Sequence, residues 1–444
     1  MSSESWERMT SDERRTVRIK KWLEPGIEFV NEQARQTYGA RAGRLAAALN
    51  HGKPDRVPVN ISAGFWPAAL AGMTPYDAMN DADRTARAWL DFNLAFEPDA
   101  IVSPLEYCPP AAMLAALDYR LFSWPGQGVP RGSSYQYNEK EWMLAEEYDR
   151  LISDPSGYML GTYLPRTVGA FAGFAGLPSL FGFSRITCVG TSVLGWGGAE
   201  LAAGLQRLAG AVEIFQGWQN TLLRMVLEAM SRGFPPYAGS GTLAPFDILG
   251  DFLRGTKGLM MDMYRQPEKV AAACERLVPV AIDMALGGGD PPTPVTFIPL
   301  HKGADGFMND EQFRRFYWPS LEALILGLVE QGMIPLLFAE GRYNTRLEAI
   351  RNLPAASTVW HFDQTDMGRA KATVGRVACI EGNMPLSLLH SGTPGEVADR
   401  TRSLIDVAGE GGGFILDMGA VADEGREENL RAMISTVKEY GSYR

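Results

Sequence analysis

The sequence lacks the short motifs that identify many metal, disulfide and nucleotide sites directly. Its 444 residues include four cysteines and four histidines, and none of them forms a CxxC or HxC pair. This spacing excludes a zinc ribbon and gives no disulfide framework. The GxSxG motif of serine hydrolases and the phosphate-binding P-loop are also missing. Neither a serine hydrolase nor a P-loop enzyme is therefore predicted.

A basic surplus and long apolar runs are also missing. The formal net charge is -10 and the pI is near 5.2, which argues against binding nucleic acid or an anionic membrane surface. No run of about 18 apolar residues suggests a membrane span. The polar N-terminus, MSSESWERMTSDERRTVRIKK, has no signal-peptide core. We therefore expect a cytoplasmic protein without a nucleic-acid or membrane partner.

The second half of the chain alternates between strand-like and helix-like segments. Each strand-like segment is a short continuous apolar run, which is typical of parallel strands covered on both faces. The predicted strands cover 295–303, 333–341, 357–366, 376–385 and 411–420, and the predicted helices cover 310–332, 344–353, 367–375, 393–410 and 426–441. A further strand is predicted over 56–62. Repeated strand–helix units indicate an α/β fold.

For this length, a (β/α)8 TIM barrel over residues 42–444 is our first prediction, preceded by an N-terminal helical extension over 1–41. The alternative is a doubly wound open sheet. That fold usually carries a glycine-rich phosphate loop after its first strand, and NISAGFWPAAL is no such loop.

Candidate site residues follow from the barrel prediction, because working groups lie at the C-terminal ends of barrel strands. Glu340 directly follows an apolar run, as does Asp417, and two of the four histidines fall at predicted strand ends. These oxygen and nitrogen groups could bind a divalent metal or act as acid/base pairs, and the residues alone leave both readings open. The full set at predicted strand ends is Asn60, Ser62, His301, Lys302, Glu340, His361, Asp363, Asn383 and Asp417. The aromatic stretch FRRFYW (313–318) is interpreted as a packed helix face.

Four motifs together resemble one superfamily. RLAAALNHGKPDRVPV, DGFMNDEQFRRFYWPSLEALI, EGNMPLSLLHSGTPGEV and GGGFIL followed by REENLRAMISTVKEYG are similar to the uroporphyrinogen decarboxylase (URO-D) superfamily over about 42–441. The resemblance implies a (β/α)8 barrel with a deep cleft at the strand C-termini, and a homodimer. Members include porphyrinogen decarboxylases and cobalamin-dependent methyltransferases.

Two departures from the superfamily's sequence patterns limit which of its activities we expect. Porphyrinogen decarboxylases grip propionates with an arginine-rich segment after the first strand, whereas the corresponding SAGFWPAALAGM contains no arginine. Thiol methyltransferases of the superfamily bind zinc through His-x-Cys and a later Cys. Phe338, Glu340 and Gly419 occupy those positions here. A metal ion such as zinc would then be bound by Glu340, His301 and Asp417.

The resemblance therefore implies a methyltransferase component closer to the cobalamin-dependent branch. It would move a methyl group from a small substrate, apolar or methoxylated, to a corrinoid on a separate partner protein, because the corrinoid-binding signature Asp-x-His-x-x-Gly is absent from this chain. The expected catalytic residues are Glu340, His361, His301 and Asp417. The expected substrate-binding residues are Asn60, Phe338, Asp363 and Asn383.

Two other functions stay open from the residues alone. One is a cofactor-independent or metal-assisted lyase, decarboxylase or hydratase that acts on a different small molecule, with Glu340 and a histidine as acid and base. The other is a non-catalytic binding protein on a barrel scaffold.

Overall fold

The computed structural model describes residues 6–105 and 107–443. Its central feature is a six-stranded parallel sheet in which every strand pairs with the next strand along the chain. This order is produced by strand–helix units, each of which places the following strand beside the preceding one. The strands are β4 (Ala238–Gly241), β5 (Val295–Leu300), β6 (Ile334–Ala339), β7 (Val359–Phe362), β8 (Cys379–Gly382) and β9 (Phe414–Ile415). A separate small sheet holds β1 (Phe122–Pro125), β2 (Gly128–Val129) and β3 (Gln136–Tyr137).

Two extended segments lie between the edges of the six-stranded sheet. The segment predicted as a strand over 56–62 forms no regular ladder; an isolated bridge joins its Val59 to Leu416, the residue directly after β9. A second segment, near residues 99–103, follows it and approaches β4. The connecting backbone hydrogen bonds run from Asn60 N to Leu416 O, Leu416 N to Pro58 O, Asp99 N to Val59 O and Ile101 N to Pro235 O, each 2.9 Å long.

Helices cover the outside of the sheet. The longer ones are α1 (Ser11–Leu23), α2 (Glu32–Leu49), α3 (Ala82–Phe96), α4 (Ala199–Ser231), α5 (Gly255–Arg265), α6 (Pro267–Leu286), α7 (Trp318–Glu330), α8 (Met367–Thr373), α9 (Pro394–Ala408) and α10 (Glu427–Tyr440). Within the described ranges, no helix combines the length and the apolarity that crossing a bilayer requires.

Shorter helical turns connect these elements. They include Trp66–Leu70, Pro75–Asn80, Ala111–Leu117, Tyr148–Ser153, Pro155–Tyr158, Leu164–Thr167, Val189–Trp196, Pro245–Asp247, Asp310–Gln312, Leu347–Ile350 and Leu386–Ser391, with π-helical turns at Met159–Tyr163, Ile248–Leu253 and Phe313–Tyr317.

The five predicted strand–helix units are present, with one shortened helix. The predicted helix 344–353 is α-helical over Leu347–Ile350. Thr393 caps α9, since its hydroxyl accepts from Glu396 N at 3.3 Å and Pro394 is the first helical residue. Phe313, Phe316 and Tyr317 are buried, which confirms that the aromatic stretch is a packed helix face.

The N-terminal helices close one end of the sheet. Trp22 of α1 is 1% exposed and packs with Val295, Ile334 and Val359, the first residues of β5, β6 and β7. Its indole nitrogen donates to Pro236 O at 2.8 Å. Apolar side chains therefore fill the sheet's N-terminal end, and polar side chains are left for its C-terminal end.

Candidate functional site

A group of ionisable side chains, ranging from fully buried Asp247 to partly exposed His301 and Glu340, lies where β5 and β6 end. We call Asp247, Asp251, His301, Lys302 and Glu340 the outer cluster. β5 ends at Leu300 and β6 at Ala339, so His301, Lys302 and Glu340 are the first residues beyond neighbouring parallel strands. The two aspartates come from a helical turn at Pro245–Asp247 that continues as the π-helical turn Ile248–Leu253. Such π-turns are frequent at functional sites.

His301 is held on one side and faces Glu340 on the other. Its Nδ1 lies 2.6 Å from Asp251 Oδ2, and its Nε2 lies 3.6 Å from Glu340 Oε1. Lys302 Nζ contacts the other oxygen of Asp251 at 2.7 Å. Asp247 fixes the strand end, since it accepts from the backbone N–H groups of His301 and Lys302 at 3.1 and 3.0 Å.

Three groups of the outer cluster have pKa values that are raised above their ordinary values. Burial alone would lower the pKa of His301, but the hydrogen bond to Asp251 and the charges of Asp247 and Glu340 outweigh burial and raise it to about 9. Burial raises the pKa of Glu340, with His301 opposing and Asp363 reinforcing the rise. Burial and the charge of Asp251 raise the pKa of Asp247 to about 7. A protonated imidazole therefore lies beside a carboxyl group that retains its proton more readily than an exposed glutamate.

A second, buried group of polar side chains lies deeper along the strands. We call it the inner cluster, and its members are Asn60, Ser62, Tyr237, His361, Glu381 and Asp417. The register pairs His361 of β7 with Glu381 of β8, so both side chains point to the same face. His361, Glu381 and Asp417 are 2%, 0% and 0% exposed.

Hydrogen bonds serve both buried carboxyl groups. Asn60 Nδ2 donates to Glu381 Oε1 and to Asp417 Oδ2, each at 3.0 Å. Ser62 donates to Asp417 through its backbone N–H at 2.9 Å and its hydroxyl at 2.7 Å. Tyr237 donates to Glu381 Oε2 at 2.8 Å. Burial and the neighbouring Asp417 raise the pKa of Glu381 well above its ordinary value, so the Glu381 carboxyl group retains its proton more readily than an exposed glutamate.

Phe338, Asp363 and Asn383 surround these clusters. The Phe338 ring lies 4.6 Å from the His361 ring and is 3% exposed. Asp363 accepts from Gly341 N at 2.9 Å, which fixes the turn that carries Glu340. The amide nitrogen of Asn383 donates to the carbonyls of Asp363 and Thr365 at 2.9 and 2.8 Å. These bonds make Asn383 a positioning residue for the loop after β7.

The structure brings some of the predicted residues together and separates others. His301 and Glu340 meet, as the metal and acid/base predictions both require. Asp417, which the sequence placed with them, is grouped with His361 and Glu381 instead. Among the described residues, these three form the group whose ligand atoms all lie within 4.8 Å of one another, a separation compatible with one metal ion.

Sequence reasoning missed Asp247, Asp251, Tyr237 and Glu381. The two aspartates stand four apart after a proline in APFDILGD, a spacing that places them on one helical face. Glu381 is a single charge within the apolar run VACIEG. It stands two residues before Asn383, as His361 stands two before Asp363, and this shared offset could have identified it.

The zinc set expected from thiol methyltransferases does not fit this chain. Phe338 offers no ligand atom and Gly419 has no side chain. A single carboxylate at Glu340 cannot replace two thiolates. The imidazole and two carboxylates of the inner cluster do suit a divalent cation chemically, although hydrogen bonds from Asn60, Ser62 and Tyr237 already use their oxygens.

The parallel sheet, its helical cover and the polar residues at the strand C-termini define a mixed α/β protein with a strand-end site. Residues 223–440 match the family model described as uroporphyrinogen decarboxylase (URO-D), which confirms the resemblance that the motifs of this chain show. A solved methyltransferase from Methanosarcina mazei has a similar fold, with a TM-score of 0.56 and 15% sequence identity. The similarity covers 90% of this chain and 98% of that chain. No curated protein sequence matches the chain.

Proposed function

We propose that the protein is a methyltransferase component that moves a methyl group from a small substrate to a corrinoid on a separate protein. The match to the URO-D family model and the named fold neighbour support the methyltransferase class. The pair of His301 and Glu340, 3.6 Å apart at the strand ends, is the observation that carries the chemistry. We further propose that the six strands and the two extended segments form a (β/α)8 barrel, preceded by the extension 1–41.

In this proposal, the outer cluster manages the leaving group. When a methyl group leaves an oxygen, nitrogen or sulfur atom, that atom keeps the bonding electron pair and needs a proton. Glu340 donates that proton, because its raised pKa keeps the carboxyl group protonated more often. The corrinoid supplies the methyl acceptor when its protein is bound.

His301 supports Glu340 in two ways. Its imidazolium, held by Asp251 through Nδ1, presents a fixed positive charge toward the position where negative charge develops. Its Nε2 also lies 3.6 Å from Glu340 Oε1, so the imidazolium stabilises the carboxylate that remains after Glu340 has donated its proton, and solvent reprotonates this 44% exposed side chain. Lys302 neutralises the charge of Asp251, so the positive charge of the His301 imidazolium is not cancelled by that carboxylate.

The remaining predicted residues have supporting roles in this proposal. Asn60, His361 and Asp417 form the polar floor of the site, and Phe338 packs against His361 at its edge. Asp363 and Asn383 hold the loops that carry Glu340 and follow β7. A divalent cation, where bound, would be held by His361, Glu381 and Asp417 and would supply Lewis acidity there.

The test is demethylation of anisole, dimethyl sulfide and trimethylamine with cob(I)alamin as the acceptor, followed by visible absorbance. Glu340→Gln should slow the reaction by at least about 100-fold, the usual size of a general-acid effect, with an unchanged melting temperature. The matched control is Glu348→Gln, which removes an exposed carboxylate from the same strand–helix unit and should leave the rate unchanged. Equal rates for Glu340→Gln and the wild type would refute the assigned role.

A lyase that works without a corrinoid is the second candidate. It is favoured by the acid–base character of the outer cluster, which pairs an imidazolium with a carboxyl group of raised pKa. Turnover of a carboxylic-acid substrate by the purified protein alone, with carbon dioxide release, would support it over methyl transfer.

A further inference from the structure

A cavity of about 600 Å³ passes beside the edge strand β4 and ends at the inner cluster. Its outer wall is the C-terminal part of α4, with Leu223, Val226 and Met230. We call it the lateral cavity, because α4 lies outside the six-stranded sheet. Its volume is about twenty times that of a water molecule in the liquid and lies within the range of small-molecule sites.

The lateral cavity reaches the inward face of the sheet. Phe297 of β5, Leu336 of β6 and His361 of β7 line its inner part. β4 is the last regular strand on this side of the sheet, and Ala238 of β4 and Val102 of the neighbouring extended segment both line the passage. The cavity therefore offers a side route to the inner cluster that is separate from the strand ends carrying Glu340.

The walls are apolar and the charges near them are balanced. Lys21 and Asp290, which line the cavity, form an ion pair at 2.6 Å, and Asp290 also pairs with Arg18 at 2.9 Å. Each of these charges has a partner, so that among the described residues lining the cavity no unpaired charge of one sign is offered to a ligand. An apolar cavity of this kind favours an uncharged, largely apolar occupant over an ion.

At the inner cluster, Asn60 and His361 offer the cavity acceptors rather than donors. Asn60 uses its amide nitrogen on Glu381 and Asp417, and Ser62 uses its hydroxyl hydrogen on Asp417. His361 Nε2 lies 2.6 Å from Met418 O, a partner that can only accept, so Nε2 is occupied as a donor and Nδ1 is the ring nitrogen left for a ligand. Within the described residues, the carbonyl oxygen of Asn60 has no hydrogen-bond partner. The carbonyl oxygen of Asn60 and Nδ1 of His361 therefore both suit a ligand that donates a hydrogen bond.

We propose that the lateral cavity binds an uncharged apolar molecule that carries a hydroxyl group, with the hydroxyl at Asn60 and His361. This inference deepens the proposed function, on which its role as a substrate route rests, by naming a substrate class and a path of entry. A corrinoid protein over the strand ends would then leave the lateral entrance open. The helix α1, which supplies Lys21, becomes part of the binding site.

The experiment compares three probes of one shape by isothermal titration calorimetry on the full chain: 2-naphthol, naphthalene and 2-naphthoate. We expect 2-naphthol to bind at least tenfold more tightly than naphthalene, and 2-naphthoate to bind most weakly. Val226→Phe fills the cavity and should weaken 2-naphthol binding at least tenfold. Ile214→Phe, on the exposed part of the same helix, is the matched control and should leave binding unchanged.

The outcomes separate this inference from the proposed function. Glu340→Gln should keep its affinity for 2-naphthol, because Glu340 does not line the cavity, even where it loses methyl transfer. Absence of 2-naphthol binding, equal affinity of Val226→Phe and wild type, or tightest binding of 2-naphthoate would each overturn the lateral site. Asn60→Leu, which keeps the approximate size of the side chain and removes its carbonyl oxygen, should reduce the preference for 2-naphthol over naphthalene, and an unchanged preference in the folded variant would overturn the placement of the hydroxyl.

Discussion

Replacing Asp251 by asparagine should change the protonation of His301, and this variant is the sharpest test of the outer cluster. The pKa of His301, about 9, lies about 2.5 above the ordinary value of 6.5, which corresponds to about 3 kcal/mol in favour of the imidazolium. A third of the His301 side chain is exposed, so solvent screening reduces the effective value to about 2 kcal/mol. Asp251 supplies the direct hydrogen bond and one of the three raising charges. We therefore expect Asp251→Asn to lower the midpoint by at least about 1 pH unit, which corresponds to about 1.4 kcal/mol.

The assay is an NMR titration of protein labelled with ¹⁵N-histidine, from pH 5.5 to pH 10. The chain has four histidines, and His301→Gln identifies the signal in question. The matched control is Asp305→Asn. Asp305 lies in the loop that follows His301, and its carboxylate accepts a hydrogen bond from Thr345 rather than from His301. A wild-type midpoint near 6.5, or equal midpoints in the wild type and Asp251→Asn, would show that Asp251 does not stabilise the imidazolium.

The same pKa predicts how stability depends on pH. A histidine whose pKa rises on folding binds its proton more tightly in the native state, so its contribution is complete below about pH 6.5 and disappears as the pH rises through about 9. Urea unfolding of the wild type should therefore show a loss of stability between pH 6.5 and pH 9 that is smaller in Asp251→Asn. An equal loss in both proteins would assign the effect to other groups.

Three further substitutions test the fold around the site, each by urea denaturation. Tyr237→Phe removes a donor from the buried Glu381 carboxyl group and should cost about 1–3 kcal/mol; no loss would mean that Glu381 is satisfied without it. Trp22→Ala empties the closed end of the sheet and should cost about 3–5 kcal/mol, whereas a cost below 1 kcal/mol would show that α1 packs loosely. Asp99→Asn removes a fully buried carboxylate that pairs with two arginines and should cost about 3–5 kcal/mol, and a neutral result would contradict the pairing.

The strand ends could be predicted because parallel strands covered on both faces leave continuous apolar runs. The first polar residue after such a run marks the strand's C-terminal end, and this rule placed His301 and Glu340 next to each other correctly. It does not rank residues inside a strand. Glu381 was missed for this reason, since its importance comes from its pairing with His361 across two strands, which one-dimensional spacing does not reveal.

The part of the chain that runs from the second extended segment to β4 could not be predicted in the same way. It consists mostly of short helical turns and ends in the 33-residue helix α4, without a strand–helix repeat to set a register. Asp247 and Asp251 follow shortly after β4, in a helical turn that continues with π-helical geometry, which depends on tertiary packing. The lateral cavity was unpredictable for a related reason, because its walls come from α1, α4 and four strands that meet only in the folded chain.

The hydrogen bonds of the inner cluster also determine when the protein can become functional during its synthesis. Asn60 bonds to partners 321 and 357 residues further along the chain. A ribosome that has produced the first three-quarters of the protein has therefore not yet supplied either carboxyl group. Contacts of such long range slow folding and expose intermediates to aggregation. The floor of the site is then complete only after β9 has been synthesised, and a nascent chain released before that point would lack it.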